Sequence, residues 1–404
     1  MKRLRWLFFW AHLVTGLAAG AVILVMCVTG AGLALKPQIL KMIDRHVRKV
    51  EPGGRTPLPV SQIVAGARAA MPDAPLTSIA IEREPSASVA LSAGQKTIYA
   101  DPYTGSILGE ASPGPAAFFR SVENWHRWLA LPSENRALGR TFTGASNLAF
   151  FGLALSGLYL WWPRAWTAQH ARPILAFRRA STGRARDFNW HNVIGFWCLL
   201  PIVAMTASGI VMSYPWANTL LYRMTGSEPP AAGAGRQGGP GGGPGGERAG
   251  IRPAAPVAAA NIDQAWRRAR ESVPEWRAIT LRMPARADAP FAFTITDGAS
   301  WNPFARSQLS LDAVTGEVRQ WQPYAGTSLG QRARGWVRFG HTGELAGLVG
   351  QIIAGLGCLG GAFLVWTGTS LAIRRLSAFR RRRSAAGVRI ERPNAVAART
   401  MEGH

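Results

Sequence analysis

Charged side chains are scarce in this sequence, and acidic ones are the scarcest. Only 17% of the 404 residues are charged, whereas soluble proteins average about 25%. The 22 acidic residues stand against 46 basic ones, which gives a formal net charge of +24. Such a charge can indicate nucleic-acid binding, but much of the basic excess directly flanks apolar runs, as cytoplasmic charge does in membrane proteins. We therefore expect a lipid bilayer as the partner and no nucleic acid.

Cysteine is nearly absent as well. The chain has three cysteines, Cys27, Cys198 and Cys358, and each lies inside an apolar run. Because no C-x-x-C or C-x-x-C-H motif occurs, a disulfide scaffold, a zinc ribbon and covalently attached c-type haem all lack support. A G-x-G-x-x-G loop between a predicted strand and a helix is also missing, so we do not expect the chain to take hydride from a nicotinamide nucleotide itself.

Four long apolar runs are present instead, each with the roughly 20 residues that a bilayer crossing requires. The first is too long for the apolar core of a cleaved signal peptide, which has about 7–15 residues, so we interpret it as a retained anchor. The predicted transmembrane helices cover residues 6–35, 141–163, 188–214 and 341–373.

The basic connections predict the orientation. The 164–187 loop holds six arginines against Asp187 alone, and the tail at 374–404 is also rich in arginine. Because cytoplasmic loops are enriched in basic residues, we predict that both termini are cytoplasmic. The chain would then be a multi-pass protein of the bacterial inner membrane, with the segments 36–140 and 215–340 in the periplasm.

One sequence unit is written twice along the chain. Glycines follow His12 after 4 and 18 residues, and glycines follow His191 at the same two offsets. These glycines are Gly16 and Gly30 in the first half and Gly195 and Gly209 in the second.

Each long outer segment predicts a small α+β domain. An amphipathic helix, alternating strand-like runs and an Asp-x-x-Thr-Gly turn occur in both 36–117 and 215–340. The second segment contains a Gly/Pro-rich stretch at 229–250, which we interpret as a flexible insertion, and residues 118–140 form an edge helix before the second span. The predicted fold class is membrane α-helical: a four-helix bundle with two periplasmic α+β domains and an internal two-fold repeat.

Four of the seven histidines lie in or beside the predicted spans. His12 and His191 begin the first and third spans, and His126 and His341 precede the second and fourth. An ionisable group at a membrane span is costly, which makes each one a functional candidate. Two neutral imidazoles from facing helices suit the axial positions of a haem iron. We predict two b-type haems, held by His12 with His191 near the cytoplasm and by His126 with His341 near the periplasm.

The repeated glycines fit the same hypothesis. Gly16 and Gly195 lie one turn from a histidine and would leave room for a flat macrocycle. Gly30 and Gly209 return to the same helix face about 27 Å further on, beside the second haem. The alternative is that small residues simply let membrane helices pack closely. Zinc, which prefers about four ligands at one point, and a proton relay, which would use carboxylates, are weaker interpretations.

Several motifs together resemble the PepSY-associated transmembrane family over nearly the whole chain. They are the H-x-x-x-G span openings, Asn124–Leu129 (NWHRWL), Trp190–Asn192 (WHN), Ser156–Trp162 (SGLYLWW) and the Asp-x-x-Thr-Gly turns. This family includes inner-membrane reductases of ferric siderophores that carry two haems between four helices. The resemblance implies di-haem electron transfer, with His12, His126, His191 and His341 as the iron ligands.

We therefore expect electron transfer across the membrane. The donor would be a separate cytoplasmic reductase or a membrane quinol, and the acceptor a ferric siderophore or another periplasmic molecule. Side chains that could meet an anionic chelate are Trp301, Arg306, Arg332, Arg334, Trp336 and Arg338. Two alternatives remain open: a membrane-anchored binding or regulatory module, and a haem subunit of another periplasmic oxidoreductase.

Overall fold

The computed structural model describes residues 2–72, 75–94, 96–163, 167–178, 182–230, 259–284 and 289–399. The helices are α1 Lys2–Ala34, α2 Lys36–Ile43, α3 Arg45–Arg48, α4 Val60–Ala70, α5 Pro113–Trp128, α6 Arg136–Trp161, α7 Ala168–Leu175, α8 Gly183–Trp197, α9 Leu199–Ser213, α10 Pro215–Met224, α11 Ala259–Ser272, α12 Leu329–His341 and α13 Gly347–Arg399. The strands are β1 Leu76–Glu82, β2 Val89–Ala93, β3 Lys96–Ala100, β4 Ile107–Glu110, β5 Trp276–Arg282, β6 Phe291–Asp297, β7 Arg306–Leu311 and β8 Val318–Gln322.

Within these ranges, three helical stretches are long and apolar enough to cross a membrane: Arg3–Ala34, Pro113–Trp161 and Glu344–Ala378. A fourth candidate is α8 together with α9. α1 packs against α6 and α13, α6 packs against α9, and α8 packs against α13. Large apolar side chains such as Leu155, Leu200 and Leu356 remain exposed on the outside of this bundle, as contact with lipid requires.

The third predicted span is bent where we expected one straight helix over 188–214. α8 and α9 meet at an angle of 64°, and Cys198 lies between them. Pro201 stands three residues beyond the break. Because proline lacks an N–H and its ring clashes with the carbonyl four residues earlier, here that of Trp197, it explains the bend.

Other boundaries also differ from the sequence prediction. The edge helix with His126 begins at Pro113, inside the predicted 36–117 domain, and α6 already begins at Arg136. The fourth span begins at Glu344 rather than at residue 341, and α13 continues through the predicted tail to Arg399. From residue 231 on, the predicted 229–250 insertion lies outside the described residues, as do Arg164, Arg179 and His404.

The two predicted outer domains share a single sheet instead of forming separate ones. Its eight strands are antiparallel in the order β4-β3-β2-β1-β5-β6-β7-β8. The halves meet where β1 pairs with β5, for example at Ile79 opposite Leu281. α4 and α11 contribute apolar side chains to the same buried core as the strands. They are also joined directly, because Asp263 accepts hydrogen bonds from the backbone N–H of Ser61, at 2.9 Å, and from its hydroxyl.

The Asp-x-x-Thr-Gly motifs form tight turns between neighbouring strands, β3–β4 and β7–β8, as predicted. One Asp101 carboxylate oxygen accepts the backbone N–H of Tyr103 at 2.7 Å, and Asp312 does the same for Val314 at 2.8 Å. Gly105 and Gly316 close the turns with φ of +73° and +72°, a conformation that favours glycine. The motif is therefore explained by turn geometry alone.

Candidate functional site

The two histidines expected near the outer face lie together at the end of the helix bundle that carries the sheet, here called the sheet end. His126 is in the last turn of α5, and His341 is the last residue of α12. Their ring centres are 6.4 Å apart and the ring planes are tilted by 59°. Two metal–nitrogen bonds of about 2 Å, plus about 1 Å from each nitrogen to its ring centre, would give about 6 Å. The spacing fits two imidazoles on opposite sides of one iron.

Both of these rings are held through Nδ1. Nδ1 of His126 lies 3.0 Å from Oγ1 of Thr29 and 3.1 Å from the carbonyl oxygen of Met26. Nδ1 of His341 lies 3.0 Å from Oγ of Ser208 and 2.9 Å from the carbonyl oxygen of Met205. Because a carbonyl only accepts, Nδ1 carries the proton in both rings. Nε2 is then left with a free lone pair, the arrangement found in metal-bound histidines.

The protonation state of His341 suits ligation as well. Burial lowers the pKa of His341 below its ordinary value, and the hydrogen bond to the Met205 carbonyl opposes that shift. A lowered pKa favours the neutral imidazole, which is the form that binds a metal.

The other two histidines lie at the opposite end of the bundle, which carries Lys2 and α7 and is here called the loop end. Nδ1 of His12 is 2.9 Å from Oγ of Ser156, and Nδ1 of His191 is 2.9 Å from Oγ1 of Thr367. The Ser156 and Thr367 hydroxyls each donate to a carbonyl of their own helix, that of Leu153 at 3.2 Å and that of Phe363 at 2.9 Å. A hydroxyl has one proton, so each must accept from Nδ1, and Nε2 is again left unprotonated.

These contacts identify a motif that our sequence reasoning had not interpreted. Each of the four candidate spans contains a hydroxyl residue that is followed by glycine and that contacts the Nδ1 of one histidine. The pairs are Thr29-Gly30, Ser156-Gly157, Ser208-Gly209 and Thr367-Gly368. Of these four glycines only Gly30 and Gly209 had been assigned a role, and two further dipeptides of the same form, Thr15-Gly16 and Thr143-Gly144, lie in the first two spans.

Three of the four glycines lie beside an imidazole ring, and the contact at Gly30 is the tightest of the three. A Cβ added at Gly30, Gly157 or Gly368 would lie 3.2, 3.4 or 3.5 Å from Cε1 of His126, His12 or His191, respectively. Gly209 differs, because its added Cβ would lie 2.9 Å from the Asn147 carboxamide, which donates to the carbonyl of Thr206 at 2.9 Å.

Gly16 and Gly195, predicted to leave space for a macrocycle, are not forced by tight protein packing. A Cβ at Gly16 would come no closer than 3.8 Å, to Leu153, and one at Gly195 no closer than 3.6 Å, to Leu364. Both are ordinary van der Waals distances. Close helix packing therefore does not account for the glycine at either position.

A large cavity contains the sheet-end pair. It has a volume of about 1890 Å³ and reaches from Gly30, His126 and His341 to the polar face of β6–β8. Ligand pockets usually measure about 300–1,000 Å³, so this space exceeds the needs of one cofactor. Within the part of the chain that the structure describes, no group of three or more His, Cys, Asp or Glu side chains could hold a metal ion.

The loop-end pair has a feature of its own that fits an anionic cofactor. The indole Nε1 of Trp10 is buried without a hydrogen-bond partner among the described residues. The Arg375 guanidinium lies 5.3 Å from the centre of the same indole ring. An unused buried donor beside a cation, two residues from His12, suits a carboxylate such as a haem propionate. At both ends, therefore, the side chains fit a haem.

The sequence profile described as PepSY-associated TM region matches residues 9–375. The chain belongs to this family. No curated protein matches the chain. Together with the apolar helices, family membership makes the chain a membrane protein, and the match spans all four histidines and all four Ser/Thr-Gly pairs.

In this PepSY-associated protein, five of the six side chains expected to meet an anionic chelate line the cavity that contains the sheet-end histidines. They are Trp336, Arg306, Arg332, Arg334 and Arg338. The sixth, Trp301, contacts Trp336 edge to face with ring centres 5.5 Å apart. Arg332 is already bonded to the carbonyl oxygens of Tyr324 and Ala325, which sets it apart from the other three arginines.

Proposed function

We propose that this protein carries electrons across the bacterial inner membrane through two b-type haems and delivers them to a periplasmic acceptor. His126 with His341 would hold one haem and His12 with His191 the other. When bound, the haems supply reversible one-electron transfer. Four transmembrane helices, with α8 and α9 counted as one bent span, would place both termini in the cytoplasm and the sheet in the periplasm.

The observation that carries the proposal is the shared state of the four imidazoles. Every Nδ1 is engaged by a hydroxyl, and every Nε2 keeps a lone pair. A histidine that served only to link helices would use both nitrogens or face the polar surface. Ligating histidines normally donate their second N–H to a neighbouring acceptor, which fixes the tautomer and the ring orientation.

The chain's own residues supply position and insulation. The hydroxyls orient the rings, Gly30, Gly157 and Gly368 let the rings lie against the helices, and the apolar helices exclude water from the path between the two ends. Electrons would come from a separate cytoplasmic reductase or a membrane quinol. Our first expectation for the acceptor is a ferric siderophore, in which one electron converts Fe(III) to Fe(II), a weaker partner for hard oxygen ligands.

Haem stoichiometry in the purified, detergent-solubilised protein tests this proposal. We expect a reduced b-type spectrum and about two haems per chain in a pyridine haemochrome assay. His12→Ala or His191→Ala should each remove one haem and keep the other. His46→Ala, an exposed histidine on α3, is the matched control and should keep both.

A folded but colourless protein would refute electron transfer and favour the alternative of a membrane-anchored binding or regulatory module. Two haems without reduction of any ferric chelate would instead favour a haem subunit that serves another periplasmic oxidoreductase. Reduction of ferric chelates by the dithionite-reduced protein, followed by ferrozine capture of Fe(II), separates these outcomes.

A further inference from the structure

Three arginines in the cavity have no hydrogen-bonding or acidic partner. Arg306, Arg334 and Arg338 are half-buried and form no ion pair or side-chain hydrogen bond with any of the residues that the structure describes. The lining contains eight basic side chains but only two acidic ones, counted over the described residues. Of those two, Glu123 is already paired with Lys36 at 3.3 Å and Arg127 at 3.0 Å.

The other basic side chains near the three are occupied or remote. Arg140 donates to the carbonyl oxygens of Met212 and Ser213 at 3.3 and 3.2 Å, and Arg332 to those of Tyr324 and Ala325. Glu344, the second acidic residue, attracts Arg306 electrostatically without forming an ion pair. A net positive charge therefore remains at Arg306, Arg334 and Arg338.

The helix geometry directs this charge toward the candidate haem site. Arg334, Arg338 and His341 are spaced by four and three residues on α12, and such residues share one face of a helix. Arg306 approaches Arg338 from β7. The guanidinium groups of Arg306 and Arg338 lie over the same Phe339 ring, 6.0 and 5.6 Å from its centre, respectively. Phe339 in turn stacks on Phe304, with ring centres 3.4 Å apart.

The free protein has to tolerate unfavourable electrostatics here. Burial lowers the pKa of Arg306 and Arg334 from their ordinary values, and the nearby Arg338 lowers both further. Arginine is retained as a cation under such conditions and binds carboxylates in a bidentate manner. A bound anion would relieve both the desolvation and the mutual repulsion.

We infer that Arg306, Arg334 and Arg338 form a carboxylate-binding site in the cavity that contains the sheet-end histidine pair. The carboxylates belong either to a free ferric chelate or to the propionates of the haem held by His126 and His341. The inference rests on the proposed function only for the second of these sources. The cavity and its unpaired charge are present in the protein itself, so a colourless preparation would refute the proposed function and still allow the site to be tested.

The first measurement uses gallium(III) citrate, a redox-inert carboxylate chelate, with the full chain in nanodiscs. For the chelate source, wild-type protein should bind it by isothermal titration calorimetry, with an affinity that falls as salt is raised. The Arg334→Gln/Arg338→Gln variant should bind at least ten times more weakly. Arg332→Gln is the matched control on the same helix and should stay within twofold of wild type, because Arg332 is bonded to backbone carbonyls.

The second measurement is the reduction potential of each haem by optical redox titration. If propionates occupy the site, the double variant should lower the potential of the sheet-end haem, since the lost positive charge stabilised the reduced form. The loop-end haem is the internal control. If the double variant loses citrate binding while both reduction potentials stay constant, the site binds a free chelate. If the reduction potential of the sheet-end haem falls, the site binds propionates.

Unchanged citrate binding together with unchanged potentials would overturn the inference. If the double variant does not fold, Arg306→Gln on β7 should produce the same loss from a different element. Arg334→Lys/Arg338→Lys, which keeps the charge and loses the bidentate fork, should give an intermediate effect in whichever measurement responds.

Discussion

The two halves of the chain hold their sheet-end histidines in the same way but place different side chains beside them. His126 on α5 and His341 on α12 are both held by a hydroxyl and a carbonyl from a neighbouring helix. Seven and three residues before His126 stand Phe119 and Glu123, whereas the same positions before His341 hold Arg334 and Arg338. Phe119 is buried, and Glu123 is paired with Lys36 and Arg127. The first half therefore has no unpaired charge at these two positions, whereas the second half has two arginines without an ion pair among the described residues.

This difference separates two tasks. The first task is to hold a ring with its Nε2 free. Both halves do this with a histidine and a hydroxyl, and at three of the four positions a glycine lies beside the ring. Admitting an anion requires unpaired positive charge beside the ligand, and one half alone supplies it. The unpaired positive charge in the sheet-end cavity therefore comes from the second half.

The first and third spans, which correspond between the two halves, also differ in shape. The first span continues unbroken through α1, while the third bends by 64° between α8 and α9. Ten residues after His191 stands Pro201, and ten residues after His12 stands Val22. One residue therefore accounts for the bend, and the histidine, glycine and hydroxyl positions on either side of it are unaffected.

The largest predicted effect tests whether the halves are equivalent as ligands. His126→Ala and His341→Ala should each remove one haem of two, because each variant removes one of the two imidazoles proposed to hold that haem. Haem per chain by pyridine haemochrome, with the low-spin b-type spectrum of the remaining haem, measures this. Retention of both haems in either variant would show that the halves do not contribute one ligand each.

A smaller effect is expected from the hydroxyls, and it should be largest at His12. Ser156→Ala removes the one Nδ1 partner that the described residues show for His12, and loss of such a partner typically costs about 10–100-fold in metal affinity. Thr367→Val, Thr29→Val and Ser208→Ala each leave a backbone carbonyl bonded to the ring, that of Leu364, Met26 or Met205, so the loss should be under about tenfold. Haem transfer to apomyoglobin gives the dissociation rates.

Equal effects in all four variants would contradict this expectation, because they would mean that the backbone carbonyls do not orient the rings. Thr141→Val is a suitable control. Its hydroxyl donates to the Ala137 carbonyl of its own helix and contacts no histidine, so haem dissociation should match that of wild type.

The sequence allowed the apolar spans and much of the outer module to be predicted. Strands formed in both outer segments, and the Asp-x-x-Thr-Gly turns formed where expected. Local patterns could predict these features because their causes are local. The bend at Cys198 was also encoded locally, by Pro201, and was missed because an apolar run was treated as one continuous helix.

What could not be predicted depends on contacts between distant segments. The pairing of β1 with β5 joins residues about two hundred positions apart, and strand alternation alone does not say which edge will meet which. The hydroxyl partners have the same origin, because Ser156 acts on His12 and Thr367 acts on His191. The four Ser/Thr-Gly pairs could have been noticed, but their partners follow only from helix packing.

The smallest predicted effect concerns the repeated glycines and decides between the two interpretations given to them. Gly195→Ala adds a methyl group at an ordinary 3.6 Å contact with Leu364, and alanine is favoured over glycine in a helix by about 1 kcal/mol. The fold should therefore keep its stability. If Gly195 makes room for a macrocycle, the loop-end haem should nevertheless bind more weakly.

Gly30→Ala provides the contrast, because its added Cβ would lie 3.2 Å from Cε1 of His126 and 3.0 Å from Sγ of Cys358. Overpacking of this kind costs about 1–3 kcal/mol and should alter the g-values of the sheet-end haem by electron paramagnetic resonance. Gly152→Ala, with nothing within 4 Å of the new atom, is the control for both. If Gly195→Ala keeps the loop-end haem at wild-type affinity, that glycine does not serve the cofactor, and only the glycines that touch a histidine ring belong to the site.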